Sequence, residues 1–136
     1  MLKSSYGGET VQRIVINFRN FIFSEAVELA LKNNGDFHVL AVDEPCELVR
    51  SCRAFAANIL LMEVAPFSCW TLEERLAIRN EMKASLPDCK IVLMTDERSE
   101  PELAKRVCDA KKAQLIDQFV YCSTSASYLS ALLDTL

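Results

Sequence analysis

The sequence predicts one α/β domain built on a doubly wound, five-stranded parallel sheet, and three observations carry that prediction. Five short apolar runs recur along the chain with helical patterns between them. The run Asn58-Ile59-Leu60-Leu61-Met62-Glu63-Val64 is nearly unbroken and lacks period-2 alternation, as suits a strand buried on both faces of a parallel sheet. With 136 residues and 51% hydrophobic content, the chain can build one sizeable core and is too short for two ordinary domains. Strands alternating with helices imply right-handed crossovers that cover the sheet on both sides. In such sheets chemistry collects beyond the carboxyl ends of the strands. Glu63, at the end of the central run, is therefore the first candidate site residue.

Each element has its own signal. Arg13-Ile14-Val15-Ile16-Asn17-Phe18 is the opening strand. Ser24 supplies an N-cap for a helix from about Glu25 to Lys32, with Ala26, Val27, Ala30 and Leu31 on one face. Asn33-Asn34-Gly35 ends it, since Asn and Gly accept the left-handed conformation at a helix C-terminus. Phe37 to Val42 is the second strand. A helix entered through Pro45 then runs from about Cys46 to Phe55, proline fitting the first helical turn. The Asn58 to Val64 run is the third strand. Thr71-x-x-Glu74 is a capping-box signature opening a helix to about Leu86, with Leu72, Leu76, Arg79 and Met82, and Ile78 beside them, facing the core. Pro87-Asp88 stops it. Ile91-Val92-Leu93-Met94-Thr95 is the fourth strand, and Ser99 with Pro101 starts a helix carrying Leu103, Val107 and Ala110. Gln118-Phe119-Val120-Tyr121 is the fifth strand. Ser123-Thr124-Ser125 caps a last helix in which Tyr128, Leu129, Leu132 and Leu133 pack inward. Residues 1–10 read as a frayed tail and residues 11–136 as the domain.

Composition excludes several classes. With 15 Lys+Arg against 19 Asp+Glu, the chain lacks the basic excess of a nucleic-acid binder. No apolar run approaches the ~20 residues of a membrane span, and the polar start is unlike a signal peptide, so a cytoplasmic protein is expected. Cys46, Cys52, Cys69, Cys89, Cys108 and Cys122 form no Cys-x-x-Cys pair, and His38 is the only histidine, so zinc-ligand spacing is absent. Most of the cysteines read as small core hydrophobes, with Cys69 or Cys122 the candidates for redox chemistry. A nucleotide-type Gly-rich loop after the first strand is missing, and a Ser-His-Asp set has only His38 to draw on.

In order and spacing, Asn58-Ile59-Leu60-Leu61-Met62-Glu63-Val64, Ile91-Val92-Leu93-Met94-Thr95 and Asp117-Gln118-Phe119-Val120-Tyr121-Cys122-Ser123-Thr124-Ser125 resemble the receiver domain of two-component response regulators. The last stretch looks most like receivers that precede a helix-turn-helix DNA-binding domain. The resemblance spans residues 11–136 and implies a flavodoxin-like fold with strand order 2-1-3-4-5 and a helix after each strand. The family holds magnesium with two acids after the first strand and an aspartate ending the third, which accepts the phosphoryl group. A Thr or Ser ending the fourth strand and a Lys ending the fifth bind the phosphoryl oxygens. Here the acid pair falls on Phe18 and Arg19 (or, one residue earlier, Asn17 and Phe18), the acceptor on Glu63, the hydroxyl on Thr95 and the lysine on Cys122. Only Thr95 follows the pattern.

Magnesium demands near-octahedral oxygen coordination, and Glu63 beside a permanently charged Arg19 is a poor start. Glutamate also sets its carboxylate one methylene further out, and small misplacements of a nucleophile cost orders of magnitude in rate. The expectation is an atypical receiver with no metal, no cofactor and no phosphoryl transfer, acting by contact in bacterial signalling or transcription control. Glu63 has three open readings: a pair with Arg19, a charge projected toward Thr95 that mimics phosphorylation, or a solvated strand-end carboxylate. Phe18 fills the volume of a lost polar pocket. Phe119 takes the place of the family's switch aromatic and is expected to stay inside. Tyr121 is expected on the surface of the fourth helix, fifth strand and fifth helix, where the family docks partners or forms homodimers. DNA contact is expected only through a downstream domain. Two alternatives stand beside this reading: a residual phosphoacceptor using Glu63, and a small-molecule or redox sensor at a crevice of Phe18, Trp70 and Cys122. The charges of Arg98, Lys105, Arg106, Lys111 and Lys112 read as a solvated face.

Overall fold

The apolar runs pair into one parallel sheet in the order β2-β1-β3-β4-β5. The computed structural model describes residues 11–136, so the expected tail at residues 1–10 lies outside the described residues. Its strands are β1 Gln12–Asn17, β2 Phe37–Ala41, β3 Ile59–Glu63, β4 Lys90–Thr95 and β5 Gln118–Tyr121. Its helices are α1 Phe21–Asn34, α2 Leu48–Phe55, α3 Leu72–Ser85, α4 Pro101–Lys112 and α5 Ala126–Asp134. Fold class and strand order are those anticipated.

Double-sided burial explains why the strand sequences do not alternate. Val15, Leu60, Met62, Ile91 and Leu93 point to one layer, where they meet Leu48, Cys52, Met82 and Val107 of α2, α3 and α4. Ile14, Ile16, Ile59, Leu61 and Val92 point to the other, against Val27 and Leu31 of α1 and Leu129 and Leu133 of α5. Each fully buried Leu or Ile contributes about 1.5–3 kcal/mol of hydrophobic stabilisation before the entropy of ordering is subtracted.

Several local expectations are corrected. Helix α1 starts a turn earlier than Ser24 predicts, because Asn20 is the N-cap and its side chain accepts from the Phe23 N–H at 2.9 Å. Ser24 is a buried helical residue whose N–H donates to the Asn20 carbonyl. Gly35 is extended, not left-handed (φ −173°); its role is clearance, since a Cβ there would meet the Phe37 ring at 2.5 Å. Pro45 opens a 3-10 turn, Pro45–Glu47, before α2 begins. On α3 the core stripe is Leu72, Arg75 and Met82, whereas Arg79 stays only half-buried. The Thr71 cap forms as predicted, with its hydroxyl oxygen accepting from the Glu74 N–H at 3.2 Å. On α5, Leu129 and Leu133 are buried, but Tyr128 is exposed.

Cys52 and Cys89 sit in the α2–α3–α4 layer as the small hydrophobes they were read to be. Burial pushes both thiols up from 9.0 to about 12, helped by their mutual proximity at Cys52 and by Asp117 at Cys89. An acid whose folded pKa is raised adds stability that is complete below its unfolded pKa and is lost as pH climbs toward the folded one. Thermal melts are therefore expected to fall steeply between pH 9 and about 12. The fall is expected to be shallower in Cys52→Ala, and an identical pH slope in the two proteins would contradict it.

Candidate functional site

The parallel register brings the ends of β1, β3 and β4 to one rim: Asn17 lies opposite Met62, and Glu63 opposite Met94. Immediately after β1 the chain turns, and α1 begins behind the Asn20 cap. That turn aims Arg19 at the end of β3. The Arg19 N–H donates to Glu63 Oε1 at 2.6 Å, and Arg19 Nε lies 3.4 Å from Oε2. Both carboxylate oxygens of Glu63 are thus engaged by one residue. The Arg19 guanidinium also lies over the Phe67 ring, 4.5 Å from its centroid, which adds a cation–π contact. The exposed position of Arg19 keeps the ion pair weak by itself. The backbone hydrogen bond gives the arrangement its geometry.

Phe18 is buried in the α1–α5 layer, with its ring edge-to-face on Phe23 at 5.3 Å between centroids. It fills apolar volume, as its sequence position suggests. Thr95 is fully buried and its hydroxyl has no hydrogen-bond partner, while its carbonyl accepts from the Cys122 N–H at 2.9 Å. Of the three readings of Glu63, the geometry shows the pair with Arg19, and no hydrogen bond joins Glu63 to the Thr95 hydroxyl. Phe119 is half-buried against the α2–α3–α4 layer and packs edge-to-face on the exposed Tyr121 at 5.6 Å, so the aromatic is less enclosed than expected.

Beneath the rim lies the feature that sequence reasoning missed. Arg75 of α3 is fully buried. Its Nη2 donates to Asn17 Oδ1 at 2.7 Å, and its Nε to the Glu63 carbonyl at 2.8 Å. The Trp70 ring covers its guanidinium at 4.4 Å. Asn17 is buried too, and its amide donates to the Val42 carbonyl at 2.5 Å. Burial lowers Arg75 to about 10, against the pull of Glu63 and Glu74, so the group remains a cation at neutral pH. The available signal was an arginine three residues after Leu72, on the same helical face.

A crevice of about 390 Å³ opens above the rim, lined by Arg19, Phe23, Glu63, Phe67, Asp96, Glu100 and Cys122 among others. Phe18 is buried in the α1–α5 layer, against which Cys122 packs, and Trp70 covers Arg75, so the expected trio does not line one crevice. Cys122 alone of the three reaches the crevice. Burial first, then Asp96, Glu63 and Glu97, push its thiol up to about 11, which keeps it protonated and a poor nucleophile. Asp96 Oδ1 accepts from the N–H groups of Ser99 and Arg98, at 3.2 Å each, and those bonds hold its carboxyl below the usual range.

The residues do not fit a magnesium ion of the receiver kind. Phe18 offers no oxygen, Asn17 Oδ1 is taken by Arg75, both Glu63 oxygens are taken by Arg19, and two guanidinium charges flank the place. Among the described residues, no group of three or more His, Cys, Asp or Glu is set to hold a metal. Among them, too, no helix is long and apolar enough to cross a membrane.

No protein-family model matches the sequence, and a search of curated proteins finds no match. Solved structures do match. A response regulator receiver domain protein from Clostridium thermocellum superposes with a TM-score of 0.73 at 13% identity, covering 92% of this chain and 93% of that one. A LuxR-family DNA-binding response regulator from Staphylococcus aureus gives 0.70 at 16% identity, covering 92% and 98%. The response regulator RcsB, solved in complex with DNA, gives 0.71 at 15% identity, covering 93% of this chain and 60% of that chain. Likeness at such identities establishes architecture: this chain has the fold of response-regulator receivers over more than 90% of its length.

Proposed function

We propose that this receiver-like domain signals without a phosphoryl group, as a protein-interaction or dimerisation module in bacterial signal transduction or transcription control. The observation that carries the reading is the engagement of both Glu63 oxygens by Arg19 at the position where a receiver keeps its free acceptor aspartate. An acceptor whose lone pairs already face a guanidinium and an N–H is a poor nucleophile, and the flanking cations leave no place for the metal that would activate a phosphodonor. The domain in this reading catalyses no phosphoryl transfer.

The α4–β5–α5 face is proposed as its self-pairing surface, with Tyr121 exposed on it and backed by Phe119. DNA contact belongs to a separate domain in this reading. The RcsB–DNA complex supports it by analogy, because the matched part is only 60% of that chain. Incubation with acetyl phosphate and magnesium, followed by intact-mass measurement, is expected to leave the mass unchanged. An added phosphoryl mass that disappears in Glu63→Ala would overturn the proposal. Light scattering on the same sample tests the self-pairing, and a strict monomer at high concentration removes it.

A further inference from the structure

Of the six cysteines, Cys46 and Cys69 are exposed, and both line one groove of about 280 Å³ between the start of α2 and the start of α3. Pro45 and Ile78 give that groove apolar walls, and Glu74 and Glu81 give it negative charge. Cys46 reaches it from the 3-10 turn before α2, and Cys69 from the loop that joins β3 to α3. The other four thiols take no part. Cys52 and Cys89 are buried, Cys108 and Cys122 are half-buried, and none of them lines this groove. A lone exposed cysteine needs no explanation; two brought from separate segments to one groove make a pair.

The backbone marks the same place. Among the described residues, Ala56, Cys69 and Gln114 are the non-glycine residues with positive φ. Ala56 closes α2 and Gln114 follows α4, where a left-handed residue ends a helix. Cys69, with φ 76°, stands before a helix instead, and its N–H donates to Glu74 Oε1 at 2.6 Å. The same oxygen accepts from the Thr71 hydroxyl at 2.9 Å, so one carboxylate ties the strained residue to the helix cap. Strain of this kind persists only where the surroundings impose it, and here it sets the position of a nucleophile.

We infer that Cys46 and Cys69 are a redox pair, which an uncharged small disulfide oxidises to an intramolecular bridge anchoring the β3–α3 loop to the turn before α2. One cysteine thiolate attacks a sulfur of the small disulfide, forms a mixed disulfide and expels one small thiolate. The second cysteine thiolate attacks the mixed disulfide at the cysteine sulfur and expels the other. Two cysteine thiols are oxidised, one small disulfide is reduced to two thiols, and the departing thiolates take up the two protons the cysteines lose. Glu74 and Glu81 repel an anionic oxidant from the groove, which selects the uncharged class.

The bridge has a route to the rim, although the groove shares no lining residue with the rim crevice. In the same loop, Phe67 lies against the Arg19 guanidinium and Trp70 against that of Arg75. The loop is closed on itself, with the Ala65 N–H donating to the Trp70 carbonyl and the Trp70 N–H to the Phe67 carbonyl, both at 2.9 Å. A disulfide holds its two Cα atoms within about 7 Å. Fixing Cys69 in that way restrains Trp70 beside it, and through Trp70 the cover over Arg75.

Hydroxyethyl disulfide added to the full chain, followed by intact-mass measurement and tryptic mapping, provides the test. The expected product has lost two hydrogens, carries no reagent, and joins peptide 33–50 to peptide 54–75, each of which holds one cysteine of the pair. Emission of Trp70, the chain's single tryptophan, is expected to change as the bridge forms and to return with reductant. Cys46→Ser is expected to stop at the mixed disulfide on Cys69, and Cys69→Ser at that on Cys46. Both side chains are exposed, so the reduced variants keep the wild-type melting temperature. Reagent retained on both cysteines of the wild type, an unreacted wild type, or a bridge through any other cysteine overturns the inference. So does a disulfide between two chains on a non-reducing gel.

Discussion

Arg75→Ala is expected to destabilise the domain by about 2–5 kcal/mol, the cost typical of truncating a large buried side chain to alanine. Two effects add. The Asn17 carbonyl oxygen and the Glu63 backbone carbonyl both lose their donor, and an unsatisfied buried acceptor costs about 1–3 kcal/mol. A cavity also opens under Trp70, whose ring now rests on the guanidinium. Urea unfolding is expected to show a lower midpoint at unchanged slope, with Trp70 emission in the native state shifted toward the solvated value. Arg75→Met keeps most of the volume but none of the hydrogen bonds, so it is expected to fall between Arg75→Ala and the wild type. Arg75→Lys replaces a planar fork that reaches two acceptors with a single point charge, and it is expected to rescue little. A loss below about 1 kcal/mol in Arg75→Ala would mean that the network is ornament to the fold rather than its support.

The same residue marks where the sequence stops being legible. Strand runs such as Ile91 to Met94 announce themselves, because a parallel sheet covered on both faces needs side chains that are apolar in either direction. Thr71 and Ser125 announce their helices because the capping bond is local to a few residues. Asn20 was overlooked in favour of Ser24 although both are capping types: the choice depends on how tightly the chain turns after β1, a tertiary matter. Glu63 facing Arg19 was one of three open readings, because the pairing joins residues 44 apart and only the β1–β3 register decides it. Arg75 was invisible for a deeper reason. A cation on a helix face is solvated by default, and it becomes a core residue only when an acceptor such as Asn17, on another strand, comes to meet it.

Phe18→Asp, the substitution that formally restores an acid to the rim, is expected to cost about 3–5 kcal/mol, as large-to-small changes of buried aromatics do. Phe18 is buried in the α1–α5 layer and leans edge-to-face on Phe23, so the new carboxyl lies in an apolar layer rather than in solvent. Burial disfavours its charged form and raises its pKa. The variant is therefore expected to be least unstable at acid pH, where the unfolded chain also holds the proton, and to lose stability as pH rises through the unfolded value toward the folded one. Pairing it with Glu63→Asp shortens the acceptor, yet the double variant is expected to show no rise in melting temperature with millimolar magnesium. Arg19 still donates from its backbone at the rim, and Arg75 still holds Asn17 from below. A magnesium-dependent rise would show that the two arginines yield to a dication, and the site would then be one substitution pair from a working receiver. The expected failure means instead that Arg19 and Arg75 set the charge of this rim, so that an acid placed at Phe18 does not make a cation site.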